Sequence, residues 1–301
     1  QIDLPVGATP EQLMMLTNEL LGQVESARPY SFFVGEEEVR ESLARALAAT
    51  NTSTEAVVDI SYQPQAVFRV RPVTRCTDTL EGHTDAVLHV SFSPDGLHLA
   101  SGGGDKLVRF WDTLTATPRR SCAGHRHHVL CTAWSPDGRL FASGDRAGEL
   151  RVWDPVSGEL VGQPMRKHRQ WITGIAWEPL HASEDGKCRR LATASKDHTV
   201  MIWTAAIGRC IATLSGHTDS VESVQWGGEG LLYTASRDRT IKVWSMNDAS
   251  HVGKLVRTLS GHAHRVNALA LNTSAVLRTG PHDHRRRRFP NAMAARAAAQ
   301  A

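Results

Sequence analysis

Short runs of alternating apolar and small or polar residues dominate the chain from residue 86 onward. "AVLHVSFS", at 86–93, has the two-residue period of a β-strand with one face in a core. "SPDG", at 93–96 and again at 135–138, joins a proline that presets φ to a glycine that accepts positive φ, so it predicts a tight turn. Segments rich in β-branched and aromatic residues predict further strands: "KLVRFW", "ELRVW", "TVMIW" and "TIKVW".

This pattern repeats along the chain. "EGHTDAVLHVSFSPDGLHLASGGGDKLVRFWD" (81–112) aligns without a gap with "AGHRHHVLCTAWSPDGRLFASGDRAGELRVWD" (123–154). A third unit spans 167–203, a fourth spans 216–244, and a fifth opens at Gly261. The opening histidines, at 83, 125, 168, 217 and 262, are 42, 43, 49 and 45 residues apart, and the longest spacing contains the polar insertion "HASEDGKCRR".

A period of 40 to 45 residues with Gly-His and Trp-Asp resembles the WD40 repeat, which builds four-stranded blades of a β-propeller. The resemblance implies a mainly β fold with about four and a half blades, an incomplete ring whose open strand edge and apolar blade faces favour aggregation. In this family the repeat histidine, a strand Ser or Thr, a turn Asp and the strand Trp form a buried hydrogen-bonded set. The matching residues are His83, Ser101, Asp105 and Trp111; His168, Thr193, Asp197 and Trp203; and His217, Thr234, Asp238 and Trp244.

The second unit departs from this set. It supplies His125, Ser143 and Trp153, but Ala147 stands where the other units place the aspartate. We therefore expect the second blade to lack one buried hydrogen bond, at a cost of about 1 kcal/mol.

The repeat also accounts for residues that could suggest chemistry. The 15 histidines include "GHRHH" at 124–128, but five of them recur at the repeat period and so belong to the blades. The chain has no Ser-His-Asp order, P-loop or H-E-x-x-H motif. The eight tryptophans are interpreted as recurring core residues rather than a stacking platform for bases. The sequence therefore predicts no enzyme, no cofactor and no metal held by this chain alone.

The first 71 residues have a different pattern. "TPEQLMMLTNELL" predicts a helix with Thr9 as N-cap and Pro10 at its first position. A strand at 30–34, a second helical stretch at 37–47 and two strands, "AVVDISY" and "AVFRVRPV", joined at residues 63–65, follow. This order suits a small α+β domain with a ubiquitin-like roll. We expect this domain at 1–71, a linker at 72–79, WD40 repeats at 80–277 and a low-complexity, Arg- and Ala-rich, unstructured tail at 278–301.

Composition adds little to this organisation. The net charge is +3, but residues 278–301 hold six arginines and one acid (+5), so the remainder carries 3 − 5 = −2 and is not a basic nucleic-acid binder by charge alone. The five cysteines form no C-x-x-C pair and no zinc spacing, which fits a reducing compartment. No apolar run of 18 residues and no signal peptide is present in the sequence.

Longer motifs resemble the Notchless family: "PYSFFV", "STEAVVDISYQPQAVFRVRPVTRC" running into "LEGH", "QWITGIAWEPLHA" and "HRVNALALNTSAVLRTG". This family has a ubiquitin-like N-terminal (NLE) domain followed by an eight-bladed propeller. Against that pattern we expect the chain to be truncated, with the domain's first strand lying before Gln1. The resemblance implies a non-catalytic assembly factor of the large (60S) ribosomal subunit precursor, in the nucleus and nucleolus. Its propeller would bind the pre-ribosome, that is, ribosomal proteins and rRNA.

The resemblance also implies one partner-binding residue. In this family the ATPase midasin holds the N-terminal domain through a metal-ion-dependent adhesion site, and a glutamate of that domain completes the metal's coordination. The family motif places it nine residues before the proline of "Y-x-P"; Pro64 is that proline, so Glu55 is the matching residue. Mg²⁺, the only metal involved, would belong to the partner's site, where it favours octahedral oxygen coordination.

Two alternatives remain open. The first concerns the function: the chain could be a WD40 adaptor, either in signalling, where it would bind the intracellular region of Notch, or as a substrate receptor of a ubiquitin ligase. The second concerns the tail. "RRRR" at 285–288 could be a nuclear-targeting or nucleic-acid-binding patch within the tail.

Overall fold

The computed structural model describes residues 4–22, 29–35, 37–50, 57–64, 76, 78–183, 186–246, 252–273, 282 and 289–300. The chain divides into two compact units, Gln1–Cys76 and Thr77–Ala301. Among the described residues, no helix combines the length and the apolar character needed to cross a bilayer.

The first unit packs two helices on a three-stranded antiparallel sheet, in which β1 (Tyr30–Val34) lies between β2 (Glu37–Glu38) and β3 (Ile60–Pro64). The first helix begins as predicted: the Thr9 hydroxyl accepts from the Gln12 amide, and the Gln12 side chain accepts from the Thr9 amide, which forms a capping box. Apolar residues from both helices and the central strand, among them Leu13, Phe32 and Leu47, form the core. The elements are α1 (Pro10–Leu20), β1 (Tyr30–Val34), β2 (Glu37–Glu38), α2 (Leu43–Ala49) and β3 (Ile60–Pro64).

Two predictions for this unit were wrong. The second helix begins at Leu43 rather than at residue 37, because residues 37–38 pair with β1 and the Val39 amide donates to the Phe32 carbonyl at 2.8 Å. The predicted connection at residues 63–65 is partly strand, since β3 continues through Pro64, which pairs with Tyr30. The strand predicted over residues 66–73 lies outside the described residues.

The second unit contains four antiparallel sheets of four strands, each in chain order, as WD40 blades require. Blade 1 consists of β4 (Val87–Phe92), β5 (His98–Gly103), β6 (Val108–Asp112) and β7 (Thr117–Cys122). Blade 2 consists of β8 (Val129–Trp134), β9 (Phe141–Asp145), β10 (Glu149–Trp153) and β11 (Met165–Arg166).

Blades 3 and 4 repeat this arrangement, which confirms the predicted fold class. Blade 3 consists of β12 (Ile172–Trp177), β13 (Arg190–Ser195), β14 (Val200–Thr204) and β15 (Arg209–Leu214), with a 3-10 turn at Leu180–Ala182 inside the insertion. Blade 4 consists of β16 (Val221–Trp226), β17 (Leu231–Ser236), β18 (Thr240–Ser245) and β19 (Lys254–Ser260).

One apolar side chain in each repeat joins neighbouring blades. It stands four residues after the repeat histidine and is fully or almost fully buried in the preceding blade: Val129, Ile172, Val221 and Val266. Glycine makes room for two of them, since a Cβ on Gly102 would lie 2.6 Å from Val129 and one on Gly144 would lie 2.8 Å from Ile172. Val87 holds the same position in blade 1 and is 51% exposed, so among the described residues this apolar position of blade 1 is left open.

The tail differs from its prediction in part. Residues 292–300 form a helix, α3 (Ala292–Gln300), because the segment is rich in alanine, the residue with the highest helix propensity. The Asn291 side chain accepts from the Ala294 amide at 2.7 Å, and the Arg296 guanidinium donates to the His181 carbonyl at 3.2 Å. The "RRRR" patch lies outside the described residues.

Candidate functional site

The predicted hydrogen-bonded set of blade 1 is assembled as a chain of four side chains. His83 Nδ1 lies 2.9 Å from both carboxylate oxygens of Asp105, and His83 Nε2 lies 2.7 Å from Ser101 Oγ. Trp111 Nε1 donates to the same Oγ at 2.8 Å. A neutral histidine with its proton on Nδ1 provides a hydrogen-bond partner for each of these groups. Its Nδ1–H donates to the carboxylate, and its Nε2 accepts a hydrogen bond from the serine hydroxyl.

Blades 3 and 4 contain the same chain with threonine in place of serine. The Nδ1-to-carboxylate distances are 2.9 and 2.7 Å, and both Nε2-to-Oγ1 distances are 2.8 Å. The tryptophan donates to Oγ1 at 2.8 Å in blade 3 and 3.0 Å in blade 4. The residues brought together are His168, Thr193, Asp197 and Trp203 in blade 3 and His217, Thr234, Asp238 and Trp244 in blade 4.

The predicted gap in blade 2 is wrong, because Asp145 fills it. Its carboxylate lies 3.2 Å from His125 Nδ1, while His125 Nε2 contacts Ser143 Oγ at 2.7 Å and Trp153 Nε1 donates to that Oγ at 2.8 Å. Asp145 stands two residues earlier than the aligned position and reaches the histidine from the end of β9. Burial alone raises the pKa of Asp145, but bonds from His125 and two backbone amides outweigh burial and hold that pKa below its usual range.

Each of these sets contains an acid, a histidine and a hydroxyl in the order of a hydrolase triad, although the chain order gave no sign of one. Ser101, however, is 3% exposed, and Ser143, Thr193 and Thr234 are fully buried. Their oxygens also accept a hydrogen bond from the blade tryptophan, so a substrate carbonyl cannot approach them. The arrangement joins the loop before the first strand of each blade to the second and third strands.

The proposed ligand donor Glu55 lies in residues 51–56, outside the described residues. The flanking elements are described: α2 ends at Ala49, with Thr50 as its C-cap, and β3 begins at Ile60. Within the described residues, no three His, Cys, Asp or Glu side chains are placed to hold a metal ion.

Sequence reasoning missed an exposed aromatic residue. It interpreted all eight tryptophans as core residues, and this interpretation was wrong for one of them. Seven are between 2% and 8% exposed, whereas Trp171 is 37% exposed. It stands three residues after the repeat histidine, where other units have Ala86, His128, Ser220 and Arg265, so it does not recur with the repeat. The mismatch with the other units was the available signal.

Two cations contact the Trp171 ring. The Arg146 guanidinium carbon lies 4.6 Å from the ring centroid, and Lys196 Nζ lies 4.5 Å from it. Arg146 comes from blade 2, and Trp171 and Lys196 come from blade 3, so this cluster bridges two blades. We call these three residues the Trp171 cluster.

Comparison with known families agrees with both units. The model of the WD domain, G-beta repeat, matches residues 74–112, 116–154, 159–204 and 208–245. The model of the NLE (NUC135) domain matches residues 1–47. Among solved structures, that of U3-55K is similar, with a TM-score of 0.55, 26% identity and coverage of 62% of this chain and 56% of that chain.

Curated relatives extend the similarity beyond single domains. Protein Notchless of Drosophila melanogaster is 54% identical over 280 residues, which cover 93% of this chain and 56% of that protein. The Notchless protein homolog of Arabidopsis thaliana is 50% identical over 77% of this chain and 48% of its own length. Ribosome assembly protein 4 of Saccharomyces cerevisiae is 39% identical over 93% of this chain and 56% of its length. The chain thus spans about half the length of these relatives.

Proposed function

Because the chain belongs to the WD40-repeat family and its N-terminus matches the NLE domain, we propose that it is a non-catalytic ribosome-assembly factor. The observation that carries this proposal is the 39% identity to yeast Ribosome assembly protein 4 over 93% of the chain, a span that includes both units. A scaffold role also agrees with the blade networks, whose hydroxyls are closed to substrate.

In the finer form of the proposal, the particle is the precursor of the large (60S) subunit in the nucleolus and nucleus. The repeats bind this particle, and midasin binds the N-terminal domain through Glu55. The chain holds no cofactor of its own, and the partner supplies Mg²⁺. An adhesion-site Mg²⁺ needs an oxygen at about 2.0–2.1 Å, so a carboxylate that is one methylene shorter would not reach it from the same backbone.

The coarser proposal is tested by sedimentation of tagged full chain from nuclear extract on a sucrose gradient. We expect the tag in fractions that contain large-subunit precursor RNA, and its release after ribonuclease treatment. A folded chain that stays at the top of the gradient, among free proteins, would overturn the ribosomal role and favour the signalling adaptor.

The finer proposal is tested by binding of the full chain to a midasin adhesion-site domain in Mg²⁺ and in EDTA. We expect binding that requires Mg²⁺ and is lost in Glu55→Asp. Glu19→Asp, the same change at an exposed position of α1, is the matched control and keeps binding. Equal binding by Glu55→Asp, or no binding by wild-type protein with a native circular dichroism spectrum, would reject Glu55 as the ligand donor.

A further inference from the structure

Trp171 lies on a loop that is held firmly in place while its ring stays accessible. The Lys196 amide donates to the Trp171 carbonyl at 2.9 Å, and the Ser195 hydroxyl donates to the Gln170 carbonyl at 3.3 Å. Gly148 of blade 2 lies against the same loop, since a Cβ there would be 2.6 to 2.7 Å from the His168 and Gln170 carbonyl oxygens. The ring is therefore presented by a fixed backbone, which reduces the entropy cost of ligand binding.

Positive charge is concentrated around this ring. The loops before β8 and β12 and the turns after β9 and β13 lie at one end of blades 2 and 3, and they carry Arg126, Arg146, Arg169 and Lys196. The two aspartates of these segments are engaged by repeat histidines, Asp145 by His125 and Asp197 by His168. In the described part of the chain, no carboxylate forms an ion pair with Arg146 or Lys196.

The same positions in the flanking blades lack this character. Blade 1 has Thr84 and Gly104 where blade 2 has Arg126 and Arg146. Blade 4 has Thr218 and Arg237, and the guanidinium of Arg237 pairs with Glu222 at 2.5 Å. An exposed aromatic ring in contact with two cations thus occurs at the Trp171 cluster, although the chain without its tail has a net charge near zero.

The geometry points to a binding site for single-stranded RNA at the Trp171 cluster, with one base stacked on the indole and the flanking phosphates on Arg146 and Lys196. Stacking on an exposed aromatic ring between cations is how proteins hold single strands without reading their sequence. The two cation–π contacts contribute only about 0.5–1 kcal/mol each at an exposed site, so both cations can turn from the ring to a phosphate. An acidic peptide would satisfy the cations but would leave the ring without an aromatic partner.

This inference deepens the proposed function, on which it rests, by assigning the RNA of the precursor particle to one end of blades 2 and 3. The test is fluorescence anisotropy of the purified full chain with a labelled single-stranded RNA of about 12 nucleotides, measured over a range of salt. All proteins compared carry glutamine at residues 285–288, which removes binding by the "RRRR" patch. Circular dichroism confirms that each variant is folded.

We expect Trp171→Leu to weaken RNA binding roughly tenfold or more, and Trp171→Phe, which keeps an aromatic face, to retain most of it. Arg146→Gln with Lys196→Gln should lower the slope of log affinity against log salt by roughly 1.4, since each single-strand phosphate contact contributes about 0.7. Arg139→Gln is the control: it removes an exposed cation in the turn between β8 and β9, at the opposite end of blade 2. It should not disturb the stacking of a base on Trp171, so the affinity for RNA should stay close to that of the parent protein.

Three results would overturn the inference: equal binding by Trp171→Leu, absence of RNA binding by the folded parent protein at low salt, or polyglutamate binding as tightly as RNA. The last would indicate an acidic protein partner instead. Failure of the inference remains distinct from failure of the proposed function. A chain that sediments with precursor particles but does not bind RNA keeps the assembly role, whereas RNA binding without sedimentation contradicts that role.

Discussion

Asp145 reaches the imidazole of His125 from a chain position two residues before the one that supplies the aspartate in the other three blades. The other aspartates follow the strand hydroxyl by four residues, and Asp145 follows Ser143 by two. The fully buried Asp145 carboxylate also accepts from the Ala147 and Glu149 amides at 2.8 and 2.9 Å. A single carboxylate thus closes the turn and orients the histidine.

Removal of this carboxylate should destabilise the chain. We expect Asp145→Ala to lower the free energy of unfolding by about 1–3 kcal/mol, because it removes the acceptor from two buried donors, the His125 imidazole and the Glu149 amide. Ala147→Asp, at an exposed position, should change stability by less than about 0.5 kcal/mol. Urea denaturation followed by tryptophan fluorescence measures both. If Ala147→Asp alone rescued Asp145→Ala, the two positions would be interchangeable and our account of Asp145 would be wrong.

The blade-joining position offers a matched pair of substitutions. Ile172→Ala should cost about 2–5 kcal/mol, since the side chain is fully buried against Gly144 and Cys131 and its removal leaves a cavity. Val87→Ala, at the same repeat position but half exposed, should cost less than about 0.5 kcal/mol. Equal midpoints of chemical denaturation for the two variants would show that this position does not join blades.

Acid should lower the stability of the chain in two separate pH ranges. Burial lowers the pKa of His217 below its ordinary 6.5, and Asp238 offsets this only partly, so the stabilisation from a neutral His217 is lost as pH falls below 6.5. Burial alone raises the pKa of Asp238, but bonds from Thr240 and His217 outweigh it and lower that pKa to about 2. Stabilisation from Asp238 is therefore present above about pH 4 and lost between pH 4 and 2. Asp197, whose pKa is also lowered, behaves in the same way.

Melting temperatures measured from pH 8 to pH 2 should therefore be level at neutral pH and fall in both windows. Asp238→Asn, with a lower starting stability, should show a shallower fall below pH 4. A melting temperature that rises as pH falls from 6.5 to 5 would contradict the assignment of His217 as neutral in the native state.

The thiols should differ in reactivity. Burial raises the pKa of Cys122 to about 11 and that of Cys131 to about 12, and it also raises the pKa of Cys188. At pH 8 these three should react with a thiol reagent only after unfolding, whereas the exposed Cys76 should react at once. Mass spectrometry after timed alkylation measures the order, and early modification of Cys131 would indicate that blade 2 opens readily.

The sequence predicted the blades well because their determinants are local and repeated. Strand alternation and the repeat histidines recur in every unit, so comparison of the units located the members of three hydrogen-bonded sets. The gapless alignment of the first two units failed for Asp145, because it compares positions and cannot show that a carboxylate two residues earlier in the chain reaches the same histidine. Glu37 and Glu38 were misassigned for a related reason: pairing with β1, a tertiary contact, overrides a helical pattern.

Trp171 was missed because all tryptophans were treated as one group, without a comparison of the position that each occupies within its repeat. Seven tryptophans recur in the third or the first strand of a blade, and the eighth was grouped with them. The local charge of blades 2 and 3 was likewise hidden in a near-zero total, since charge placement depends on which loops and turns the topology brings to one end.

The half-exposed Val87 also bears on how the four blades come apart. Each blade holds the next mainly through nearest-neighbour packing, so the unit behaves as a one-dimensional array in which opening begins where a neighbour is lacking. Blades 2 and 3 are packed on both sides, and Val266, whose amide donates to Ser236 at 3.1 Å, covers blade 4. Among the described residues, the first strand of blade 1 is much more exposed than the first strands of blades 2, 3 and 4. Amide hydrogen exchange should therefore be fastest in β4 and β5 and slow progressively toward blade 3, which gives the array a direction of unravelling.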